Sequence, residues 1–141
     1  HLCNPIHSMH RGSIAWAAMV LFLAVAAGAF GAHGLRGRLS PEALVQWHTA
    51  VEYQFYHGLA MLAVVLLSGT IKDLPVKGIA RLFLVGILLF SGSIYLLSTR
   101  TLHGWEHAGK VLGPITPIGG LLFLVGWAWL TWSALRPPDA R

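Results

Sequence analysis

The stretch GSIAWAAMVLFLAVAAGAFGAHGL (residues Gly12–Leu35) contains no Asp, Glu, Lys or Arg. A helix needs about 20 predominantly apolar residues to cross the hydrocarbon core of a bilayer, so this stretch is long enough to span one. Three further stretches of similar length lack the same four residue types: Tyr53–Ile71, Leu82–Thr99 and Val111–Leu135. The sequence therefore predicts an all-α integral membrane protein, a four-helix bundle whose helices run up-down-up-down.

The composition agrees with this prediction and excludes several classes of protein. Of the 141 residues, 55% are hydrophobic and 11% are charged, and the mean hydropathy is +0.64. Soluble domains carry about 25% charged residues, so a soluble enzyme is excluded, and so is a disordered chain. The formal net charge is +5, but the Lys and Arg residues flank the apolar stretches and form no basic run. We therefore expect a lipid bilayer as partner and no nucleic acid.

The spans divide the chain into three parts. Residues 1–12 are interpreted as an N-terminal extension, with Met9 as a natural start, residues 13–135 as one four-span domain, and residues 136–141 as a tail. Within the domain, Ser40 can cap the second helix. Pro114 and Pro117 are predicted to kink the fourth helix, because proline removes a backbone donor.

Four spans place both termini and the second loop on one side of the membrane, which we call the terminal side. The first and third loops lie on the other, the loop-one side. The terminal side has more Lys and Arg, which predicts cytoplasmic termini. The terminal side has Arg11, Lys72, Lys77, Arg81, Arg136 and Arg141, and the loop-one side has Arg36, Arg38, Arg100 and Lys110.

Small residues mark the predicted helix contacts, since they allow two helix backbones to approach closely. They are Ala24, Gly28 and Ala32 in the first span, Gly92 in the third, and Gly119 and Gly120 in the fourth. Packing within the chain is the simpler interpretation of these positions, and contact with a second copy is the alternative.

Chemical signatures are few, and no catalytic residue, metal or cofactor is predicted. His33 and His57 both lie near helix ends, which disfavours haem held by two histidines. His103 and His107 lack a glutamate at the metalloprotease spacing, which disfavours zinc. No nucleophile elbow, phosphate loop or dinucleotide fingerprint is present.

Ordered motifs follow one another along the chain: GAFGAHGL (Gly28–Leu35), LSPE (Leu39–Glu42), TAVEYQFYHGLA (Thr49–Ala60), LFSGSIY (Leu89–Tyr95) and GPITPIGG (Gly113–Gly120). Together they resemble a known family, that of domain of unknown function 423, also called the UPF0382 small inner-membrane proteins. The resemblance covers about residues 13–132 and implies a bacterial four-span protein of the inner membrane. It brings no established activity, substrate or cofactor.

Polar residues of these motifs fall on the loop-one side, where most histidines and glutamates also lie. We predict a polar cluster there, made of His33, Glu52, Gln54, His57 and Thr116 and joined deeper by Ser91 or Ser93. The simpler interpretation is that His48 and Glu52 form an interfacial ion pair and that His57 hydrogen-bonds a neighbouring helix.

Two functions follow as expectations. The first is a structural or interaction protein, either an accessory subunit of a larger membrane complex or a self-associating scaffold. The alternative is a membrane protein that handles a small molecule, lipid or ion with the His/Glu cluster. Enzyme chemistry is not expected.

Overall fold

The structure is a computed structural model that describes residues 10–105 and 107–136. Within that part the chain is helical and has no strand. The helices are α1 (Arg11–His33), α2 (Pro41–Leu67), α3 (Val76–Ser98), α4 (Ala108–Leu112) and α5 (Ile115–Leu135), with a short 3-10 turn at Arg100–Leu102. Helices α1, α2, α3 and the α4–α5 pair are each long and apolar enough to cross a membrane. The all-α four-span prediction is therefore confirmed.

The ends of the described region lie close to the predicted domain boundaries. Helix α1 begins at Arg11 and α5 ends at Leu135. Most of the predicted extension, the tail from residue 137 and Glu106 lie outside the described residues.

Helices α2 and α3 form the centre of the bundle. Helix α1 packs mainly against α2, and α5 packs mainly against α3. Helices α1 and α3 are in contact over only a short length. Trp47 of α2 donates to the carbonyl of Ala27 on α1. Gln54 comes later on α2 and donates to Val20, which comes earlier on α1, so the two helices are antiparallel. Because α1 and α3 barely meet, a groove remains between them above α2.

Helix α2 begins where the sequence predicts. The Ser40 side chain accepts a hydrogen bond from the Ala43 amide at 3.2 Å, and Pro41 is the first helical residue. At 1.5 Å per residue, the 27 residues of α2 rise about 40 Å, against about 30 Å for the hydrocarbon core. The first turns of α2 therefore lie in the interface on the loop-one side, where Trp47 packs with Leu35 and Leu39.

The fourth span is interrupted at Gly113–Pro114, between α4 and α5. Pro117 falls in the first turn of α5, where a backbone N–H has no acceptor within the helix, so its missing donor costs no helical bond. The predicted kink is thus confirmed in part, at Pro114. Beside the break, the Thr116 hydroxyl lies 3.4 Å from the Leu112 carbonyl and supplies it with a donor, as a break at membrane depth requires.

Phenylalanine and glycine alternate along both sides of the α3–α5 contact. A Cβ on Gly126 would lie 2.5 Å from the ring of Phe83, and one on Gly86 would lie 2.6 Å from the ring of Phe123. Each ring fills the space that the opposite glycine leaves, which is how membrane helices gain van der Waals contact. The series on α3 is Phe83, Gly86, Phe90 and Ser93, and the facing series on α5 is Gly126, Phe123, Gly119 and Thr116.

The apolar core and the buried polar groups occupy different depths. Met61 and Val64 of α2 meet Ile79 and Phe83 of α3 in the half nearer the terminal side, and all four side chains are buried. The side chains that hydrogen-bond from one helix to another lie from the level of Phe83 towards the loop-one side. The candidate site is therefore found in the loop-one half.

Candidate functional site

His57 lies in the middle of α2 and not near a helix end as expected, because α2 begins at Pro41, well before the charge-free stretch. Its side chain is held from three directions. Its Nδ1 lies 2.9 Å from the Tyr53 carbonyl, and its Nε2 lies 3.2 Å from Nε1 of Trp127 on α5. An indole N–H can only donate, so Nε2 accepts and the proton resides on Nδ1, which donates to Tyr53. The imidazole also stacks on Phe123 at 3.5 Å and is 5% exposed. Nε2 and the ring face thus link α2 to α5, while Nδ1 is hydrogen-bonded within α2.

Gln54, one turn earlier on α2, joins three helices. Its Nε2 donates to the Val20 carbonyl of α1 at 2.9 Å, and its Oε1 accepts from the hydroxyl of Tyr95 on α3 at 2.8 Å. The amide is 5% exposed. Leaving a buried amide without a hydrogen bond in a bilayer costs roughly several kcal/mol of stability. These two bonds therefore determine how α1 and α3 pack on α2.

Hydroxyl groups connect α3 to both of its neighbours. The Ser91 hydroxyl donates to the Ala50 carbonyl of α2 at 2.7 Å. On the other face of α3, the oxygens of Ser93 and Thr116 are 2.6 Å apart, and Ser93 also lies 2.9 Å from the Phe90 carbonyl. These hydroxyl groups serve helix contacts, as Ser and Thr commonly do between membrane helices.

His33 and Glu52, by contrast, lie on the surface. Both side chains are exposed, and neither makes a side-chain hydrogen bond with the residues that the structure describes. His48, one turn before Glu52, is exposed as well. The structure thus brings Gln54, His57, Ser91, Ser93 and Thr116 into interhelical hydrogen bonds and leaves His33 and Glu52 outside them. Across residues 10–105 and 107–136, no group of three His, Cys, Asp or Glu residues could hold a metal.

The predicted packing residues have different surroundings. A Cβ on Gly119 would overlap the backbone nitrogen of Phe90, so α3 and α5 approach each other there at backbone distance. Ala24 is fully buried and Gly28 would tolerate a Cβ 3.5 Å from Val51. Ala32 is exposed, a Cβ on Gly120 would meet Phe90 at an ordinary 3.8 Å, and one on Gly92 would meet no atom within 4 Å.

Sequence reasoning missed three aromatic side chains that complete these contacts. Trp47 donates to the Ala27 carbonyl at 2.9 Å, while Tyr95 and Trp127 bond to Gln54 and His57. Trp127 lies eight residues before the end of α5, about 12 Å inside the helix, which is deeper than tryptophans at the membrane interface lie. This depth is the sequence signal that indicates a buried role for Trp127.

A groove between α1 and α3 lies next to these residues. It has a volume of about 480 Å³ and an almost wholly apolar lining, with Gln54 and Tyr95 at its base. Small residues stand on both walls, Ala26 and Ala27 on α1 and Gly92 on α3. An apolar group within the membrane could therefore come close to the backbones of α1 and α3 in the groove.

Comparison with known proteins places the chain among membrane proteins without an assigned function. The model of the family described as "Protein of unknown function (DUF423)" matches residues 27–120. No solved structure matches the chain.

Curated relatives are similar over most of their length. A UPF0382 membrane protein of Staphylococcus aureus (strain bovine RF122) is 46% identical over 113 residues, 80% of this chain and 86% of the relative. One from Staphylococcus haemolyticus is 41% identical over 119 residues, 84% and 91% of the two chains. The UPF0382 membrane protein YwdK of Bacillus subtilis is 39% identical over 115 residues, 81% and 88%. These matches confirm the family resemblance seen in the motifs.

Proposed function

The chain belongs to the DUF423 family of multi-pass membrane proteins, and we propose that it acts as an accessory subunit of a larger membrane complex. In this proposal, the groove between α1 and α3 receives one transmembrane helix of a partner protein. The internal hydrogen bonds keep the four spans rigid, and the groove is the surface that they present.

The observation that carries the proposal is the open space at Gly92. Glycine inside a helix costs roughly 0.5–1 kcal/mol relative to alanine. Close contacts within the chain account for that cost at Gly86 and Gly119, where a Cβ would overlap the facing helix. At Gly92 a Cβ would meet nothing within 4 Å, so contacts inside the chain do not account for it. A helix seated in the groove would use the small size of Gly92.

The chemistry of the walls favours a helix as the occupant. Association of helices in a bilayer depends on close backbone approach at Gly and Ala, because the lipid is as apolar as the helices. Gly92 faces Ala26 and Ala27 across the groove, so a helix could approach both walls. An acyl chain, in contrast, needs no small residues.

Purification of the tagged full chain in mild detergent tests the proposal. We expect a different membrane protein to co-purify in a fixed ratio, and Gly92→Leu to reduce its yield at least about tenfold, because the new side chain fills the groove. Ala29→Leu is the matched control, since Ala29 is exposed on α1 outside the groove lining. Thermal unfolding of all three proteins would show that the folds are equally stable.

Three outcomes would overturn the proposal. The wild-type chain would purify alone, or Gly92→Leu would retain the same partner, or the partner would be a second copy of the chain. The last result would replace the accessory role with self-association.

We also propose that the protein lies in the bacterial cytoplasmic membrane with both termini in the cytoplasm. The larger number of Lys and Arg residues on the terminal side supports this orientation. In a Cys3→Ser background, a single cysteine introduced at Asp73 should then be protected from a membrane-impermeant thiol reagent in intact cells, while one at Arg36 should react. The reverse labelling would contradict the orientation.

Handling of a small molecule, lipid or ion by a His/Glu cluster has less support. The ring nitrogens of His57 and the amide of Gln54 are already hydrogen-bonded, and Glu52 and His33 point to the exterior. A replacement of Glu52 that abolished a measured binding activity would revive this alternative.

A further inference from the structure

A crevice at the opposite end of the molecule from the candidate site carries a separate inference. It has a volume of about 400 Å³ and opens between the beginnings of α1 and α3 and the second half of α2. Its polar residues include Lys77 and Arg81 of α3 and Ser13 of α1. Its apolar residues include Trp16, Met61 and Leu84. We call this site the basic crevice.

The charges in the basic crevice are not balanced. Lys77 and Arg81 are four residues apart on α3, so they share a face of the helix and repel each other. No acidic residue lines the crevice, and neither α1 nor α3 has one in its first turn. Among the residues that the structure describes on the terminal side, Asp73 is the one acid. An anion between Lys77 and Arg81 would remove the repulsion.

The depth of the crevice indicates which kind of anion fits. Arg81 lies five residues after the start of α3, about 7.5 Å along the helix. Helix α3 rises about 35 Å in total, little more than the hydrocarbon core, so Arg81 lies near the boundary between headgroups and acyl chains. Trp16 is 58% exposed at a similar depth on α1, a typical interfacial position.

The two kinds of wall match the two parts of a phospholipid. Basic pockets between membrane helices bind anionic headgroups, and a cation near the interface attracts them. Met61 and Leu84 extend the crevice towards the hydrocarbon, where a free phosphate ion would gain nothing and an acyl chain would gain contact. A soluble anion would use only the polar end.

We propose that the basic crevice binds one anionic phospholipid. Its phosphate lies between Lys77 and Arg81, and one acyl chain runs along Trp16 and Leu84 over the buried Met61. The crevice and the α1–α3 groove lie next to each other between the same two helices but share no lining residue, so the lipid proposal does not rest on the proposed accessory role.

Lipid titration of the purified full chain in detergent, read by native mass spectrometry, tests the proposal. The probes are phosphatidylglycerol and phosphatidylcholine with identical acyl chains. We expect phosphatidylglycerol to bind at least about tenfold more tightly, because two cations face its negative charge. Lys77→Gln with Arg81→Gln should weaken its binding about 30-fold, at about fivefold per charge, and leave phosphatidylcholine unchanged.

The matched control is the double variant Lys72→Gln with Arg136→Gln. It removes the same charge from the same side of the protein but outside the crevice lining, and should change binding less than about threefold. If the crevice double variant does not fold, judged by its thermal unfolding midpoint, Lys77→Gln alone should still weaken binding about fivefold.

Three results would overturn the proposal. The two lipids would bind equally, or the control variant would lose as much affinity as the crevice variant. Alternatively, glycerol phosphate at millimolar concentration would displace the lipid, which would show that the crevice serves a soluble phosphate instead.

Discussion

Gly119→Ala is expected to destabilise the protein because α3 and α5 touch at that point through their backbones. The new Cβ would overlap the Phe90 nitrogen and lie 2.9 Å from the Gly86 carbonyl oxygen. Neither atom belongs to a side chain that can rotate away, so the helices must separate by about 1 Å and lose contact along the whole interface.

The size of the effect follows from two opposing terms. Overpacking costs about 1–3 kcal/mol, and replacing glycine by alanine inside a helix returns about 0.5–1 kcal/mol. Together the two terms predict a net loss of up to about 2.5 kcal/mol in the free energy of unfolding. Gly92→Ala is the matched control, because it makes the same chemical change on α3 where a Cβ has no neighbour within 4 Å.

Unfolding by sodium dodecyl sulfate in mixed micelles, followed by tryptophan fluorescence, would measure both variants. Gly92→Ala should be as stable as the wild type or slightly more stable. The difference between the two variants isolates the steric term, since the gain from helix propensity is common to both. Equal stability of Gly119→Ala and Gly92→Ala would refute the close contact of α3 and α5.

Three further predictions use the same unfolding measurement. Trp127→Phe removes the donor to His57 and should lower the free energy of unfolding by about 0.5–1.5 kcal/mol. An unchanged free energy of unfolding would show that this bond does not form. Gln54→Leu should lower the free energy of unfolding by about 1–2 kcal/mol. The double variant Gln54→Leu with Tyr95→Phe should lose less than the sum of the two single losses, and full additivity would contradict the hydrogen bond between Gln54 and Tyr95. Glu52→Gln should change stability by less than about 0.5 kcal/mol, because Glu52 is exposed and a larger loss would reveal a missed partner.

The number and limits of the spans could be predicted because they depend on one-dimensional signals. Charge-free stretches of sufficient length predict membrane helices. Ser40 caps the start of α2 through a local hydrogen bond, as predicted, and Pro41 follows as the first helical residue with its fixed φ. Pro114 and Pro117 show the limit of such rules, since the cost of a proline depends on its position within the turn.

The rotation of each helix could not be predicted in the same way. Helices α1 and α5 are apolar all round, so no polar face indicates which residues point inwards. On α2 the spacing alone separates two of the predicted cluster residues: Glu52 and His57 are five residues apart, about 140° around the helix. Accordingly, His57 turns inwards and Glu52 turns outwards, although both lie on the same side of the membrane.

The sequence does contain one signal for the rotation of α3 and α5. Phe83, Gly86, Phe90 and Ser93 have spacings of three, four and three residues, and so do the facing positions of α5. Large and small residues at matching intervals predict two helices that interlock. Recognising that pattern would have paired α3 with α5 and turned Phe123 towards the interior.

The central claim is that the buried polar groups hold the helices together and that the α1–α3 groove is the surface for a partner. The most direct measurement is photo-crosslinking in living cells from a reactive amino acid placed at Leu88, which lines the groove, and at Leu124, which is exposed on α5. We predict a covalent adduct with another membrane protein from Leu88 and none from Leu124. Lipid adducts alone at both positions, or an adduct between two copies of this chain, would contradict the account.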